Sequence, residues 1–248
     1  MHNVLILHAP GTNRDGDAAF AVSAAGGSPQ IKPLALLRRE KIVWKNYAML
    51  VLPGGFSYGD ALGAGRLWAL DLETWFQDQL WEFAASGKPI IGICNGFQAL
   101  VKAGILPGNH LSATLTFNAS GKFECRQVWL NPCRSNPSAW LEGLSPILCP
   151  VAHGEGRFLM QKGEELCFEQ IAFTYVFADG SPALNAYPHN PNGSPGDVAG
   201  ITNLEGNILG LMPHPEDHIF DYQHPHRSRG QSGGQGLSLF KNGMRMLK

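Results

Sequence analysis

The sequence predicts an α/β fold: an open, mostly parallel, twisted sheet with helices on both faces and an antiparallel β-rich extension. Up to residue 104, short apolar runs alternate with helix-like segments across short connections, and such alternation is typical of parallel sheets. From about residue 112 the apolar runs are instead separated by Gly, Pro and Asn. That change indicates a β-rich, partly antiparallel second half packed on the same sheet.

The first half of the chain predicts three strands, each followed by a helix. The strands are expected at residues 4–8, 48–52 and 89–93, and the last is a continuous apolar run, as in a strand buried on both faces. Helices are expected at 18–26 and 97–104. Residues 62–86 carry apolar residues at helical spacing and leave open one long helix or two shorter ones.

The second half predicts five strands, a glycine-rich loop and a closing helix. The expected strands are FECRQVWL, PILCPVAH, ELCFEQIAFTYV, DVAGITN and ILGLMPH. A flexible loop is predicted at 227–236 and an amphipathic helix at 237–248. Length alone leaves one or two domains open. Because no repeat or linker interrupts the chain, we expect a single domain over 1–248.

Composition narrows the classes of partner. Lys plus Arg number 19 and Asp plus Glu 20, a net charge of -1, so no basic field attracts nucleic acid. The apolar runs are far shorter than the roughly 20 residues of a membrane helix, and the N-terminus lacks the basic start of a signal peptide. We expect a cytoplasmic protein without nucleic-acid or membrane partners. Five cysteines without a zinc-like CxxC pair predict no metal site and mostly small buried side chains.

The sharpest chemical signal is the string IIGICNGFQAL. An apolar strand meets Gly92, Cys94 and Gly96 and then a helix, which is the arrangement of a nucleophile elbow with cysteine in place of serine. The glycines let strand and helix pass closely, and the helix N-terminus favours a thiolate. A buried structural cysteine is the alternative. The flanking strand and helix favour the nucleophile, with Cys94 in that role.

A thiolate nucleophile needs a base and a group that orients the base. Among nine histidines, His214 ends an apolar strand between two prolines that fix the backbone, and Glu216 follows at a spacing that reaches the imidazole. A chance pairing in a surface turn is the competing interpretation, because the motif is short. The carboxyl edge of a parallel sheet is where such sites assemble.

Three further loops are candidates for substrate contact. PGGFSYGD follows a strand but lacks the ending of a phosphate-binding loop; we expect Gly54 or Gly55 to complete an oxyanion hole with the N-H of Asn95, and a plain turn is the alternative. HGEGRF and YPHNPNGSPGDVAGITN are either contact loops or solvated turns. The residues expected to contact substrate or partner are Phe56, Ser57, Gln98, His153, Glu155, Arg157, Asn190 and Asn192.

These strings resemble the class I, triad-type glutamine amidotransferase subunits of phosphoribosylformylglycinamidine synthase. The resemblance spans about residues 3–216 and includes APGTNRD, PGGFSYGD, GICNGFQ, FNASGKFECR, VAHGEGRF, YPHNPNGSPGDVAGITN and MPHPE. It implies that Cys94 attacks the glutamine amide, His214 moves the proton and Glu216 orients His214. It further implies a synthetase partner that uses ATP and magnesium, a small accessory subunit, and no cofactor in this chain.

Two departures from the family pattern concern charged residues. Many members carry Arg directly after MPHPE, where this chain has Asp217, and often Cys where it has Arg14. The tail from residue 217 is also longer than in compact members. Two other function classes stay open from sequence alone: a stand-alone cysteine hydrolase or peptidase on a related sheet, and a non-catalytic docking module that keeps the fold.

Overall fold

The computed structural model describes residues 1–247, so the last residue of the predicted closing helix lies outside the described part. The strands are β1 Asn3–His8, β2 Ser28–Pro33, β3 Met49–Leu52, β4 Ile90–Ile93, β5 Ala113–Thr116, β6 Glu124–Pro132, β7 Ile147–His153, β8 Arg157–Met160, β9 Ile171–Val176, β10 Val198–Thr202 and β11 Ile208–Leu211. The α-helices are α1 Asp15–Ala24, α2 Leu34–Arg39, α3 Arg66–Trp75, α4 Gln77–Ala85, α5 Asn95–Lys102 and α6 Gly236–Arg245.

Nine strands form one mixed sheet in the order β2-β1-β3-β4-β11-β10-β9-β6-β7. The first five strands of that order run parallel, and the remaining pairings are antiparallel. This confirms the expected parallel sheet with an antiparallel extension. β5 and β8 differ from the expectation of one sheet, because they pair with each other in a separate two-stranded sheet.

Helices cover both faces of the parallel half. The connection from β1 to β2 runs toward one edge and that from β3 to β4 toward the other, and right-handed crossovers place the helices of such connections on opposite faces. Accordingly α1 packs against α6, whereas α3 packs against α4 and α5. This confirms the prediction of helices on both faces.

The sequence interpretation missed β2 and α2, which lie between the first two expected pairs. β2 has the sequence SPQIKP and is mostly half-buried, so it lacks the apolar run that marks an internal strand. Its two prolines are tolerated because it is an edge strand.

The segment 62–86 forms two helices rather than one. The left-handed backbone at Leu62, Gly63 and Gly65 delays the start of α3 to Arg66, and Phe76 separates α3 from α4 with extended φ. In the second half, β9 starts only at Ile171, because a 3-10 turn occupies Phe168–Gln170. The observed strand is therefore shorter than the apolar run suggests.

One continuous cluster of buried apolar side chains joins both halves of the chain, and its largest fully buried members are Trp44, Trp68 and Trp140. The expectation of mostly buried cysteines is wrong: Cys94 and Cys149 are buried, Cys133 and Cys167 are half-buried and Cys125 is exposed. None of the described helices is both long and apolar enough to cross a bilayer.

Candidate active site

The candidate site lies where three neighbouring parallel strands end. β4 pairs with β3 on one side and with β11 on the other, in a register that opposes Gly92 to both Leu52 and Gly210. The loops after these three strands carry Gly54, Cys94 and His214. The carboxyl edge of the sheet therefore collects residues that lie as far apart in the sequence as positions 54 and 214.

Cys94 occupies a sharp turn between β4 and α5. Its backbone lies at φ 48° and ψ -103°, a region that non-glycine residues rarely adopt and that costs on the order of 1–3 kcal/mol. The surrounding structure holds this conformation, because the Cys94 N-H donates to the carbonyl of Leu211 at 2.8 Å. The buried thiol itself lies 3.8 Å from the carbonyl oxygen of Ala152.

The two glycines flanking Cys94 allow close packing of strand and helix. A Cβ added at Gly92 would lie 2.6 Å from Leu100 Cδ1, and a Cβ added at Gly96 would overlap the carbonyl oxygen of Leu52. The contact at Gly92 would force Leu100 to move, and the contact at Gly96, which is with backbone, would displace α5 from the sheet. The glycine spacing therefore reflects the approach of α5 to the carboxyl end of β3, as expected for an elbow.

His214 and Glu216 form a buried pair beside the cysteine. His214 Nδ1 lies 2.7 Å from Glu216 Oε1, and the His214 N-H donates to the carbonyl of Pro150 at 2.8 Å. Burial lowers the His214 pKa, but the charges of Glu216 and Cys94 and the hydrogen bond to Glu216 raise it by more, so the net shift is upward. Glu216 thus holds Nδ1, while the buried Nε2 has no hydrogen-bond partner among residues 1–247.

The two glycines after β3 contact different parts of the site. A Cβ at Gly54 would lie 2.6 Å from His214 Cε1, so only glycine lets this loop approach the imidazole. Gly55 has φ +141°, in the range that glycine favours, and lines the same pocket as Cys94. Asn95 opens α5, where the first N-H groups of a helix lack intrahelical acceptors.

A small pocket of about 130 Å³ opens over Cys94. Its lining includes Gly55, Phe56, Asp60, Ala64, Cys94, Gln98, Phe117, Phe123, Ala152, His153, Gly154 and Glu155. Among residues 1–247, no lysine or arginine lines it. An amide chain supports the wall: Ser57 N-H donates to Asn95 Oδ1 at 3.1 Å, and the Asn95 amide donates to Gln98 Oε1 at 2.9 Å.

Two carboxylates face this pocket. Glu155 is fixed by the Ala64 N-H, which donates to its Oε1 at 3.2 Å, while the Gln98 amide donates to the Glu155 backbone carbonyl at 2.5 Å. Burial and the neighbouring charge of Glu155 raise the pKa of Asp60 to about 6, although Lys102 and an Asn95 hydrogen bond oppose the shift. The pocket is therefore negatively charged at neutral pH.

His153 is a neutral wall of the pocket. Burial and the nearby His214 lower its pKa to about 3. Its Nδ1 lies 3.0 Å from Asn118 Oδ1, and the Asn118 amide donates to the His153 carbonyl at 2.8 Å. A Cβ at Gly156 would overlap the imidazole, so the motif glycines again permit close packing.

Four residues expected at contacts lie outside the pocket lining. Ser57 lies behind the wall through its N-H bond to Asn95, and the other three, Arg157, Asn190 and Asn192, hold the 190–197 loop. The Arg157 Nε donates to the Gly193 carbonyl at 3.0 Å. The Asn190 amide donates to Asp197 Oδ1 at 2.9 Å, and the Asn192 amide donates to the Tyr175 hydroxyl at 3.0 Å. These three side chains stabilise the folded 190–197 loop. The loop also contacts the FNASGKF segment between β5 and β6, where the Ala119 N-H donates to the Asn192 carbonyl at 3.0 Å.

The two departures from the family pattern meet beside the triad. Arg14 Nη1 lies 3.6 Å from Asp217 Oδ2 and 3.1 Å from Asp17 Oδ2. His214, Glu216 and Asp217 place one ligand atom each within 4.8 Å of one another, a spacing that a metal ion could use. Glu216 is already bound to His214, and the Arg14 guanidinium lies beside Asp217. These carboxylates are therefore neutralised by side chains of the protein rather than by a metal ion.

Sequence reasoning missed Asp60, Asn118, Phe117 and Phe123 as site residues. Asp60 and Asn118 stand within the quoted motifs PGGFSYGD and FNASGKF, so the signal was present in the strings. Aspartate and asparagine are ordinary turn residues, however, and only the tertiary structure distinguishes these two from others.

Comparisons with known proteins show the family and support the fold. Residues 1–247 match the family of CobB/CobQ-like glutamine amidotransferase domains. A relative from Treponema denticola named phosphoribosylformylglycinamidine synthase subunit PurQ is 52% identical in an alignment of 237 positions that covers 87% of this chain and 87% of its own. One of the same name from Dehalococcoides mccartyi is 38% identical over 98% of this chain and 97% of its own.

A solved structure is also similar. A chain in the structure of PurLQS from Thermotoga maritima superposes with a TM-score of 0.79 and 30% identity, covering 100% of both chains. A glutamine amidotransferase from the same organism has a TM-score of 0.58 at 16% identity, covering 100% of this chain and 98% of its own, and supports the fold alone.

Proposed function

Because the chain belongs to the family of CobB/CobQ-like glutamine amidotransferase domains, we propose that it is the glutaminase subunit of a phosphoribosylformylglycinamidine synthase. It hydrolyses L-glutamine to glutamate and ammonia. The ammonia is passed to a synthetase subunit, which converts formylglycinamide ribonucleotide to formylglycinamidine ribonucleotide with ATP in purine biosynthesis. The relatives named as subunits of this synthase, which align with 87% or more of this chain, support the assignment.

The chemistry proceeds through a covalent thioester. His214 accepts the proton of the Cys94 thiol, and the sulfur attacks the side-chain amide carbon of glutamine. The resulting oxyanion is held by the N-H groups of Asn95 and Gly55. His214 then gives its proton to the departing nitrogen, so ammonia leaves and a glutamyl thioester remains. Attack by water, with His214 again as base, releases glutamate and restores the thiol.

Glu216 orients the base throughout this cycle. Its 2.7 Å contact with Nδ1 leaves Nε2 as the nitrogen that exchanges protons with Cys94 and the leaving group. The buried carboxylate also stabilises the imidazolium that forms at each proton transfer. The upward shift of the His214 pKa by Glu216 and Cys94, which prevails over burial, supports this role.

The pocket selects the amino acid by charge. Asp60 and Glu155 lie on its wall without a lysine or arginine among the lining residues, so the α-ammonium group of glutamine is the part of the substrate that they attract. Gln98 and neutral His153 line the same pocket and contribute polar atoms without adding charge. With the α-ammonium group held by the two carboxylates, the side-chain amide of glutamine lies beside Cys94.

The mouth of the pocket carries exposed aromatic side chains. Phe56, Phe117 and Phe123 are 41%, 69% and 53% exposed, and Phe56 stacks on Phe123 with ring centroids 6.2 Å apart. Contiguous exposed apolar side chains are typical of interaction surfaces. We assign it to the synthetase, which must receive ammonia before water protonates it. ATP and magnesium bind to that partner, a small accessory subunit completes the assembly, and the complex is cytoplasmic.

The observation that carries the proposal is the strained cysteine elbow beside the buried His214–Glu216 pair. A non-catalytic docking module would have no reason to keep a costly backbone at Cys94. The stand-alone hydrolase is disfavoured because 52% identity to a synthase subunit extends over 87% of this chain. We also propose a single domain, which the continuous core supports.

The test separates glutamine use from ammonia use. In the assembled complex, Cys94→Ala is expected to abolish glutamine-dependent synthesis and to leave ammonia-dependent synthesis intact, because the nucleophile serves only amide cleavage. Cys125→Ala, at an exposed cysteine outside the pocket, is the matched control and retains both activities. Normal glutamine-dependent synthesis by the Cys94 variant would refute the assignment.

A further inference from the structure

The turn after β11 carries His214, Glu216 and Asp217. The proposed amide chemistry gives no role to the charge of Asp217. Glu216 and Asp217 are adjacent carboxylates that both lie close to His214. Asp217 is mostly buried, with 19% of its side chain exposed. Two neighbouring carboxylates in such a place repel each other, and one of them takes up a proton unless a cation compensates.

The compensating cation is Arg14, from the loop after β1. Its guanidinium lies 3.6 Å from Asp217 Oδ2 and 3.1 Å from Asp17 Oδ2, so it connects the start of α1 to the turn after β11. Its backbone N-H donates to the Gly54 carbonyl at 3.3 Å. Arg14 therefore connects three parts of the site: α1, the loop after β3 that carries Gly54, and the turn after β11 that carries Asp217.

We infer that Arg14 is a positioning residue of the glutaminase site, which keeps Asp217 ionised as a second carboxylate beside His214 and so stabilises the imidazolium formed when Cys94 loses its proton. This inference rests on the proposed function. Arg14 touches neither Cys94 nor the pocket, and it acts only through Asp217 and the loop that carries Gly54.

The titration of Asp217 gives the inference a measurable signature. The groups facing this carboxylate are His214 and Glu216 on its own turn, Arg14 and Asp17 at α1, and Cys149 on β7. Burial and Glu216 raise the Asp217 pKa to about 6, while His214 and Arg14 hold it down. Burial also raises the pKa of Cys149 well above its usual value, so this residue adds no charge at neutral pH.

The sign of the effect follows from these charges. Asp217 is ionised above about pH 6 and loses its charge below it, so its contribution to catalysis is present at neutral pH and declines with acid. Removing Arg14 removes one of the two charges that hold the pKa down. The pKa of Asp217 then rises by roughly one unit, the effect expected for losing an opposite charge at this distance.

The experiment measures kcat for glutamine hydrolysis against pH in the assembled complex at saturating glutamine. For Arg14→Gln we expect the acid limb to move up by roughly one pH unit, with little change in KM because Arg14 does not touch substrate. Arg14→Lys keeps the cation, so its acid limb is expected to stay close to that of the native enzyme. Arg38→Gln, which removes a guanidinium packed on Trp75 away from the site, leaves the profile unchanged.

Repeating the Arg14→Gln substitution in an Asp217→Asn variant distinguishes an effect of the Arg14 charge on Asp217 from a general structural effect. In Asp217→Asn, adding Arg14→Gln is expected to cause no further shift of the acid limb, because the titrating carboxylate is gone. An unmoved limb in Arg14→Gln, or an equal shift in both backgrounds, would overturn the inference while leaving the glutaminase assignment in place. Carbon-13 NMR titration of the Asp217 carboxyl gives an independent readout: its midpoint rises in Arg14→Gln if the inference holds and stays in place if it fails.

Discussion

Single carboxylates set the chemistry of this site by where they lie. Glu216 faces the base, and Asp60 and Glu155 face the substrate pocket. Their surroundings divide them into two groups: Glu216 is paired with an imidazole, whereas Asp60 and Glu155 are available to a ligand cation. Substitution of Glu216 and substitution of a pocket carboxylate are therefore expected to have different kinetic signatures.

Asp60→Asn is expected to weaken glutamine binding rather than chemistry. Losing a charged hydrogen-bond partner for the α-ammonium group raises KM by roughly tenfold to a hundredfold, with kcat nearly unchanged. Since the Asp60 pKa is raised to about 6, kcat/KM of the native enzyme falls as the pH drops through that value. Steady-state kinetics between pH 5 and 8, with the exposed Asp78→Asn as control, measure both effects.

A fall in kcat with an unchanged KM in Asp60→Asn would contradict this role. Such a result would instead place the carboxylate in the chemical step.

The residues proposed for the active site were accessible to sequence reasoning to different degrees. Cys94 and His214 each follow a recognisable apolar strand, so the strand pattern itself points to the edge where they meet. Arg14 and Asp217 were visible only as departures from a family pattern. Their pairing joins distant parts of the chain, and no local periodicity encodes it.

At the level of elements, the position of α5 depends on glycine. Gly96 permits the helix to approach the carbonyl of Leu52 at the end of β3, and this approach places the Cys94 turn between β3 and β11. The strands and helices of the parallel half were predictable because β3 and β4 are fully buried. β2 was not predictable from the sequence, because this edge strand lacks the apolar run that identifies an internal strand.

Gly96→Ala is expected to destabilise the chain by about 1–3 kcal/mol, the usual cost of forcing an extra group into a packed interior. The matched control is Gly16→Ala in α1, where an added Cβ has nothing within 4 Å. That control should be neutral or stabilising by up to about 1 kcal/mol, since alanine favours helix over glycine.

Urea unfolding of both variants measures the two free energies. Equal stability of Gly96→Ala and the native chain would mean that α5 does not need its close contact with β3.

For the whole molecule, the central consequence of the topology is that one sheet edge presents both the Cys94 pocket and a group of exposed aromatic side chains. The pocket over Cys94 opens among Phe56, Phe117 and Phe123. The low charged fraction of the chain, 16%, is consistent with a surface that a partner partly covers. Sequence composition suggested such a surface without locating it, because exposure is a property of the folded chain.

Phe117→Asp is expected to weaken association with the synthetase by roughly tenfold or more, since an aromatic anchor would be replaced by a charge that the interface must desolvate. Phe168→Asp is the control, because Phe168 is similarly exposed but outside the pocket lining. Binding of both variants to immobilised synthetase compares them directly. Equal affinity of the two would place the interface elsewhere.

The most direct test of the central claim is mass spectrometry of the complex quenched in acid during glutamine turnover. We predict a peptide containing Cys94 that is heavier by one glutamyl group, absent from Cys94→Ala and more abundant when hydrolysis of the thioester is slowed. A complex that consumes glutamine while Cys94 stays unmodified under the same quench, or that carries the glutamyl group on another residue, would contradict the assignment of Cys94 as the nucleophile.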